Sequence, residues 1–102
     1  MFYTYILASR RNGTLYAGST ENLFKRTYEH KERLRDGFTA KYGVHLLVWF
    51  EPHETRAGAF RHERRIKEWR RSWKLRLIEA RNPDWADLYD ELSDLIGVPF
   101  GR

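Results

Sequence analysis

Aromatic and β-branched runs, separated by turn residues, mark three short strands in the first half of the chain. Phe2–Ala8 (FYTYILA) has the composition of a largely buried strand, and residues 15–18 (LYAG) read as the returning strand. Between them, Asn12-Gly13 favours the positive backbone dihedral angles of a tight hairpin turn. The third strand is predicted over residues 44–51 (VHLLVWFE), with Pro52 ending it.

One helix is predicted between the second and third strands, over residues 21–35. Ser19 or Thr20 is expected to cap its amino end, and Gly37 is expected to end it. The Lys, Tyr and Gly residues that follow are expected to form a loop.

Three further helices are predicted after the third strand. Apolar residues recur at steps of three and four over residues 54–72, and a shorter helix over residues 73–81 follows a break near Ser72. Asn82 is expected to cap the last helix. The order β-β-α-β-α-α-α predicts an α/β fold of the α+β kind, in which helices flank a small three-stranded, mainly antiparallel sheet.

Composition excludes several classes of protein. The chain has 102 residues, no cysteine and a formal net charge of +5. Disulfide scaffolds, cysteine-based zinc sites and thiol nucleophiles are therefore excluded. No apolar run approaches the ~20 residues that span a bilayer, and the amino-terminal segment lacks the basic leader of a signal peptide. We expect a single cytoplasmic domain over residues 1–102.

The positive charge is unevenly distributed along the chain. Residues 1–81 contain 18 Lys and Arg against 9 Asp and Glu, a net charge of +9, whereas residues 82–102 carry a net charge of −4. Residues 82–102 are therefore predicted to be an acidic C-terminal helical extension. The basic body favours a polyanionic partner, and a solvated basic surface without a ligand is the alternative.

Two features of the predicted helices are hard to explain by structure alone, namely a face of basic residues and a single glutamate. Arg26, His30 and Arg33 recur at helical spacing on one face of the first helix, although a solvated face has the same pattern. Glu63 lies beside the apolar stripe of the second helix, where a carboxylate is costly to bury unless it is paired or binds a metal. A buried ion pair with one of the many arginines would also explain Glu63.

Tyrosines and a glycine mark the predicted hairpin. Tyr3 and Tyr5 share one face of the first strand, and Tyr16 can come opposite them across the turn. Cross-strand aromatic pairs are common in sheets, but a phenol beside a cation can also orient or deprotonate a water. Gly18 permits the close approach of a ligand or another backbone.

Taken in order, these motifs resemble the GIY-YIG nuclease superfamily, above all its small stand-alone bacterial members. Those members are related to the N-terminal nuclease domain of the incision subunit in bacterial excision repair. The resemblance extends over residues 2–81. The motifs that carry it are Tyr3-Thr4-Tyr5, Tyr16-Ala17-Gly18, Arg26, His30 and Glu63.

The resemblance implies a Mg²⁺-dependent endonuclease, a hydrolase of phosphodiester bonds. It implies that Tyr16 is a general base or water-orienting group, helped by Tyr5 or His30, and that Arg26 stabilises charge on phosphorus. Glu63 would bind one Mg²⁺ (or Mn²⁺) ion, weakly in the absence of DNA.

The chain departs from the superfamily pattern at two places. Its first triplet is Tyr-Thr-Tyr instead of Gly-Ile-Tyr, which is tolerable because the last tyrosine carries the chemistry. The excision-repair relatives have a lysine where this chain has Ser19, so we expect one cation fewer at that point. This change should affect rate and substrate preference more than reaction class.

DNA is the expected partner, in repair or recombination, with nucleoid association when bound. No dedicated base-reading element is recognisable, so cleavage is expected to be structure-directed or weakly sequence-specific. The alternatives are a catalytically weak nucleic-acid-binding module that keeps the nuclease fold, and a domain whose acidic last helix binds a protein partner. Phosphate contacts are predicted for Arg10, Arg11, Arg33, Lys41 and Lys67.

Overall fold

The described residues form one three-stranded antiparallel sheet with helices on both faces. The computed structural model describes residues 1–32 and 37–96, with side chains to residue 92. The central strand β1 (Phe2–Ala8) pairs with β2 (Leu15–Thr20) on one side and with β3 (Leu46–His53) on the other. The predicted α+β class and three-stranded sheet are confirmed.

Helices flank this sheet in the part of the chain that the structure describes. One of them was not predicted: a five-residue helix precedes β3, where a loop was expected. The helices are α1 (Leu23–Lys31), α2 (Phe38–Tyr42), α3 (Arg56–Glu68), α4 (Arg71–Arg81) and α5 (Tyr89–Ile96).

The alternating side chains of β1 divide the core into two clusters. Tyr5 and Leu7 pack on the face that Leu23 of α1 covers. Ile6 packs on the opposite face with Ile66 of α3 and with α4. Because both faces of β1 are covered, its sequence is apolar and aromatic throughout and does not alternate with exposed polar residues.

The hairpin turn is wider than the predicted two-residue turn. The Gly13 amide donates to the Arg10 carbonyl at 2.9 Å, and the Ser9 amide donates to the Thr14 carbonyl at 3.0 Å. Asn12, not Gly13, adopts the positive φ, of 60°. Gly13 is needed for space, because a Cβ there would lie 2.3 Å from Ser9 Oγ.

The second strand continues two residues beyond its predicted end. Ser19 and Thr20 pair with β1 and therefore do not cap α1. The cap is Asn22, whose side chain accepts from the Lys25 amide at 3.0 Å. The predicted cap was wrong because the backbone of both residues is still in the ladder. The predicted end of α1 near residue 35 lies outside the described residues, and Gly37 precedes α2 with φ 109°.

The third strand begins and ends two residues later than predicted and includes Pro52. As β3 is an edge strand, the missing N–H of the proline leaves no ladder bond unmade. Val48 forms a bulge, because Trp49 and Leu47 pair with successive residues of β1.

Asn82 does not cap the last helix, and that prediction was wrong. It ends α4, is 6% exposed, and its Nδ2 donates to the carbonyls of Val48 at 3.0 Å and Ala86 at 2.9 Å. The bulge leaves the Val48 carbonyl in need of a donor, and a buried carbonyl without one is costly. The last helix, α5, begins at Tyr89, and α3 ends at Glu68, before the predicted break.

The segment after Asn82 packs into both halves of the core. Trp85 belongs to the cluster under α3 and α4, and Leu88 packs against the other cluster. Asp87 accepts from the Leu47 amide at 3.1 Å and pairs with Lys31 of α1. The predicted division of the chain into a nuclease-like body and a C-terminal extension beginning at residue 82 stays a prediction. None of the helices in the described residues has the length and apolar character that crossing a membrane requires.

Two asparagines test this account of the fold. Asn82→Ala should lower the free energy of unfolding by about 2–3 kcal/mol, because it leaves buried carbonyls without donors. Asn22→Ala, which removes an exposed helix cap, should cost about 1 kcal/mol. Urea unfolding of both variants measures the difference. Equal losses of unfolding free energy in the two variants would contradict the role of the Asn82 side chain in connecting α4 to β3.

Candidate active site

The predicted catalytic side chains converge on the free edge of β2. Four of them lie on the face that α1 covers or on α1 itself, and the carboxylate approaches from α3 on the other face. An edge strand has no neighbour on its outer side, so groups from both faces can meet around it. The side chains are Tyr5 of β1, Tyr16 of β2, Arg26 and His30 of α1, and Glu63 of α3.

Tyr5 and Gly18 face each other directly across the β1–β2 ladder. The Tyr5 side chain is fully buried, and a Cβ added to Gly18 would lie 2.6 Å from its hydroxyl. Any side chain at this position would displace the phenol. The close approach expected at Gly18 is therefore made by the ring of the neighbouring strand.

His30 lies between the two tyrosines and is buried, in contrast to the solvated face that its spacing also allowed. Its Nε2 is 3.4 Å from the Tyr5 hydroxyl, and its Nδ1 is 3.0 Å from Thr39 Oγ1. Its ring centroid is 5.7 Å from that of Tyr16. If the phenol donates to Nε2, then Nδ1 carries the proton and donates to Thr39.

Burial raises the pKa of the Tyr5 hydroxyl well above its usual value of 10.0. The neighbouring Tyr16 raises this pKa further, and Glu63 adds a smaller increase, while the charge of Arg26 and its hydrogen bond to the phenol oppose the rise. Tyr5 is therefore a neutral hydrogen-bond donor near pH 7. It is a poor candidate for a general base.

Glu63 is held by two groups on the opposite flank of β2. The Ser19 hydroxyl donates to Oε1 at 2.6 Å, and Lys67 Nζ is 2.7 Å from Oε2. The Glu63 side chain is 11% exposed, whereas that of Lys67 is 50% exposed. The partners of the buried carboxylate are thus a lysine and a serine of the site, and not the arginine of the ion-pair alternative.

Lys67 also connects the two halves of the site. Its Nζ lies 5.8 Å from the centroid of the Tyr16 ring. A lysine of α3 therefore lies beside Glu63, the partner of Ser19, near the point where one cation fewer was expected. Arg26 adds a second cation beside Tyr5; its Nε is 3.5 Å from Glu29 Oε1, and its side chain is 30% exposed.

The donor atoms around Glu63 fit a hard divalent cation. They are a carboxylate and a hydroxyl, the oxygen ligands that Mg²⁺ prefers, and Lys67 is exposed enough to move aside. Glu63 belongs to no group of three His, Cys, Asp or Glu ligands within the described residues. Waters and substrate oxygens would have to complete the coordination.

The residues predicted to contact phosphate are dispersed over the described surface. Arg10 and Arg11 are exposed in the hairpin turn, beyond the amino end of β2. Lys41 is exposed on α2, and its Nζ lies 5.4 Å from the centroid of the Tyr42 ring. Lys67 lies in the site itself, and Arg33 falls outside the described residues.

Three contributors to the site were missed by sequence reasoning. The bond from Ser19 and the contact with Thr39 depend on tertiary placement, and no sequence spacing indicates them. Phe38 stacks on Tyr16, with ring centroids 6.3 Å apart and planes at 28°. By contrast, the four-residue spacing of Glu63 and Lys67 could have predicted their ion pair.

Known protein sequences are similar to this chain over the region that contains these residues. Residues 1–76 match the sequence model of the GIY-YIG catalytic domain. The chain is 37% identical over 82 residues to a UPF0213 protein of Clostridium perfringens, a span that covers 80% of this chain and 87% of that relative. It is 33% identical over 79 residues to a UPF0213 protein of Staphylococcus haemolyticus, covering 78% and 95%. No solved structure matches the chain significantly.

The raised pKa of Tyr5 predicts a loss of stability in alkali. A phenol whose folded pKa exceeds its unfolded pKa stabilises the fold fully below pH 10.0, and this stabilisation is lost as the pH rises further. The free energy of unfolding of wild type should therefore fall more steeply above about pH 10 than that of Tyr5→Phe. Tyr42→Phe, at an exposed position, should follow wild type. Parallel curves for all three proteins would show that Tyr5 titrates normally.

Proposed function

Because the chain belongs to the GIY-YIG family, we propose that it is a metal-dependent DNA endonuclease that hydrolyses phosphodiester bonds. The observation that carries the proposal is the convergence of two tyrosines, a histidine, an arginine and a buried glutamate around the edge of β2. A domain that only bound DNA would have no use for a carboxylate facing the phosphates, because it would repel them.

Phosphodiester hydrolysis needs a water activated on one side of phosphorus and charge neutralised on the other. Tyr16 is the group we assign to orient and deprotonate the water, because it lines the cleft beside Lys67, whereas Tyr5 is fully buried. Tyr5 and His30 hold each other through the hydrogen bond at 3.4 Å and fix the position of Tyr16 through ring contacts. Thr39 holds the far nitrogen of His30.

Arg26 and Glu63 act on the phosphate. The planar guanidinium of Arg26 matches two phosphate oxygens and stabilises the charge that develops on them. Glu63 would hold one divalent cation, Mg²⁺ or Mn²⁺, which supplies further neutralisation at a phosphate oxygen when bound. Lys67, which pairs with Glu63 in this structure, would then be available to pair with a neighbouring phosphate.

The substrate we propose has unpaired bases beside the cleaved bond, as flapped, forked or branched DNA has. Phe38 and Tyr42 are 46% and 48% exposed, and their ring centroids are 4.8 Å apart. Phe38 also forms one wall of a cleft of about 280 Å³ beside Tyr16, which Lys67 and Lys74 line. An exposed aromatic pair beside lysines suits a stacked base with its phosphates. A role in DNA repair or recombination would follow from such a substrate.

The rival function is a DNA-binding module without useful turnover. The same basic and aromatic surface would serve it, and it predicts binding on every substrate with cleavage on none. A protein partner on the acidic last helix remains a separate prediction, which pull-down with the exposed substitutions Asp90→Asn and Glu91→Gln would address.

Two substitutions test the catalytic assignment. Glu63→Gln and Arg26→Lys should each slow Mg²⁺-dependent cleavage of flapped DNA by about 10²–10³-fold. The first removes the carboxylate charge that would hold the cation, and the second removes the planar fork that matches two phosphate oxygens. DNA binding measured with the metal chelated should change by far less. Glu54→Gln, an exposed carboxylate before α3, is the matched control and should cleave at the wild-type rate. Undiminished cleavage by either site variant would contradict the assignment.

The aromatic pair tests the substrate assignment separately. Phe38→Ala should weaken binding to flapped and single-stranded DNA by about 1–3 kcal/mol, the value of one stacked base, and leave duplex binding unchanged. Trp73→Ala removes an aromatic side chain of equal exposure, 46%, on α4, where no catalytic residue lies. Equal losses on duplex and single-stranded DNA in the Phe38 variant would exclude base stacking there.

A further inference from the structure

A second cluster of chemically active side chains lies on the flank of α3 opposite to Glu63. Glu51 and His53 are two residues apart on β3 and so share one face of the strand. His62, the residue before Glu63, turns towards them because consecutive helical residues point about 100° apart. Glu63 contacts β2 and His62 contacts β3, with β1 between the two strands.

The three side chains bring their ligand atoms to one point. Glu51 Oε1 is 3.2 Å from His62 Nδ1 and 3.6 Å from His53 Nε2, and the three atoms lie within 4.8 Å of one another. The two imidazole rings cross at 87° with centroids 5.3 Å apart. Shifts of about 1 Å would bring the nitrogens and the oxygen to the spacing of ligands around one ion.

Glu51 is within hydrogen-bonding distance of His62, but one nitrogen of the cluster is left without a hydrogen bond among the described residues. In the part of the chain that the structure describes, the buried Nε2 of His53 has no hydrogen-bond partner. Buried side-chain nitrogens are nearly always paired. At 3.6 Å, Glu51 Oε1 is too far away to serve as an acceptor for this nitrogen. The nitrogen therefore has a free lone pair or proton directed at the carboxylate and at His62.

We propose that Glu51, His53 and His62 bind a Zn²⁺ ion, with water in the fourth position. Two imidazoles and one carboxylate are a ligand set that zinc accepts, whereas Mg²⁺ prefers oxygen ligands alone. The Glu51 side chain is 39% exposed, which gives an ion and its water access from solvent. The ion would connect the end of β3 to the middle of α3, beside the helical turn that carries Glu63.

The test is metal binding to the full chain, after chelator treatment and buffer exchange. Zn²⁺ is titrated by calorimetry, and Co²⁺ is added separately, because tetrahedral Co²⁺ with nitrogen ligands has intense visible absorption. The variants are His62→Gln and Glu51→Gln, the second at a half-exposed position that should fold normally. His45→Gln is the matched control, a histidine at the start of β3 outside the cluster.

Wild type and His45→Gln should bind one Zn²⁺ and show the Co²⁺ absorption, and Zn²⁺ should raise their melting temperature. His62→Gln and Glu51→Gln should bind at least about tenfold more weakly and lose the absorption. Glu63→Gln should bind zinc as wild type does, which separates this site from the nuclease site. Equal Zn²⁺ affinity in wild type and in a folded Glu51→Gln variant would overturn the proposal, as would the loss of binding in Glu63→Gln alone.

Discussion

The position of the Tyr5 phenol over Gly18 is the constraint on which the rest of the site depends. The hydroxyl occupies the volume that any side chain on the neighbouring strand would need, and a Cβ there would come within 2.6 Å of it. From this position the phenol contacts His30 on α1, which in turn reaches Thr39 on the next helix. Burial keeps the phenol protonated. The central strand therefore fixes the geometry, and the groups at the edge of β2 are those to which we assign proton transfer and phosphate binding in the proposed function.

Sequence patterns predicted the central strand best, because its apolar run is covered on both faces and admits few other structures. β1 was predicted residue for residue, and the candidate site residues came from the ordered motifs that resemble the GIY-YIG superfamily. The errors lie where tertiary contacts override local preference. Asn82 has the sequence context of a helix cap, but the Val48 carbonyl left open by the β3 bulge binds its side chain. Ser19 was predicted to cap α1 and to leave the site one cation short. In the structure it pairs in β2, and its hydroxyl donates to Glu63. No local sequence pattern indicates the bulge in β3 or the close approach of α3 to β2.

The third helix organises the chemistry of the molecule through two consecutive residues. Glu63 faces β2 and the proposed nuclease site, and Lys67, one turn later, pairs with its carboxylate. His62 faces β3 and the proposed zinc site. The net charge of +9 over residues 1–81 covers the region that holds both sites, and the acidic segment after it packs its apolar side chains into the core. Packing of α3 against all three strands is thus what brings cations, carboxylate and phenols into one place.

The most direct test of this account is the rate of single-turnover cleavage of flapped DNA, with Mg²⁺, by Gly18→Ala. The added methyl must move the Tyr5 hydroxyl, and a displacement of about 1 Å in a catalytic site can reduce the rate about 100-fold. We expect a folded protein that binds DNA as wild type does and cleaves it at least about 100-fold more slowly. Gly58→Ala adds the same methyl group on α3, against the exposed Thr55, and should cleave normally. A folded Gly18→Ala variant that cleaves at the wild-type rate would show that the Tyr5–Gly18 contact does not position the catalytic site.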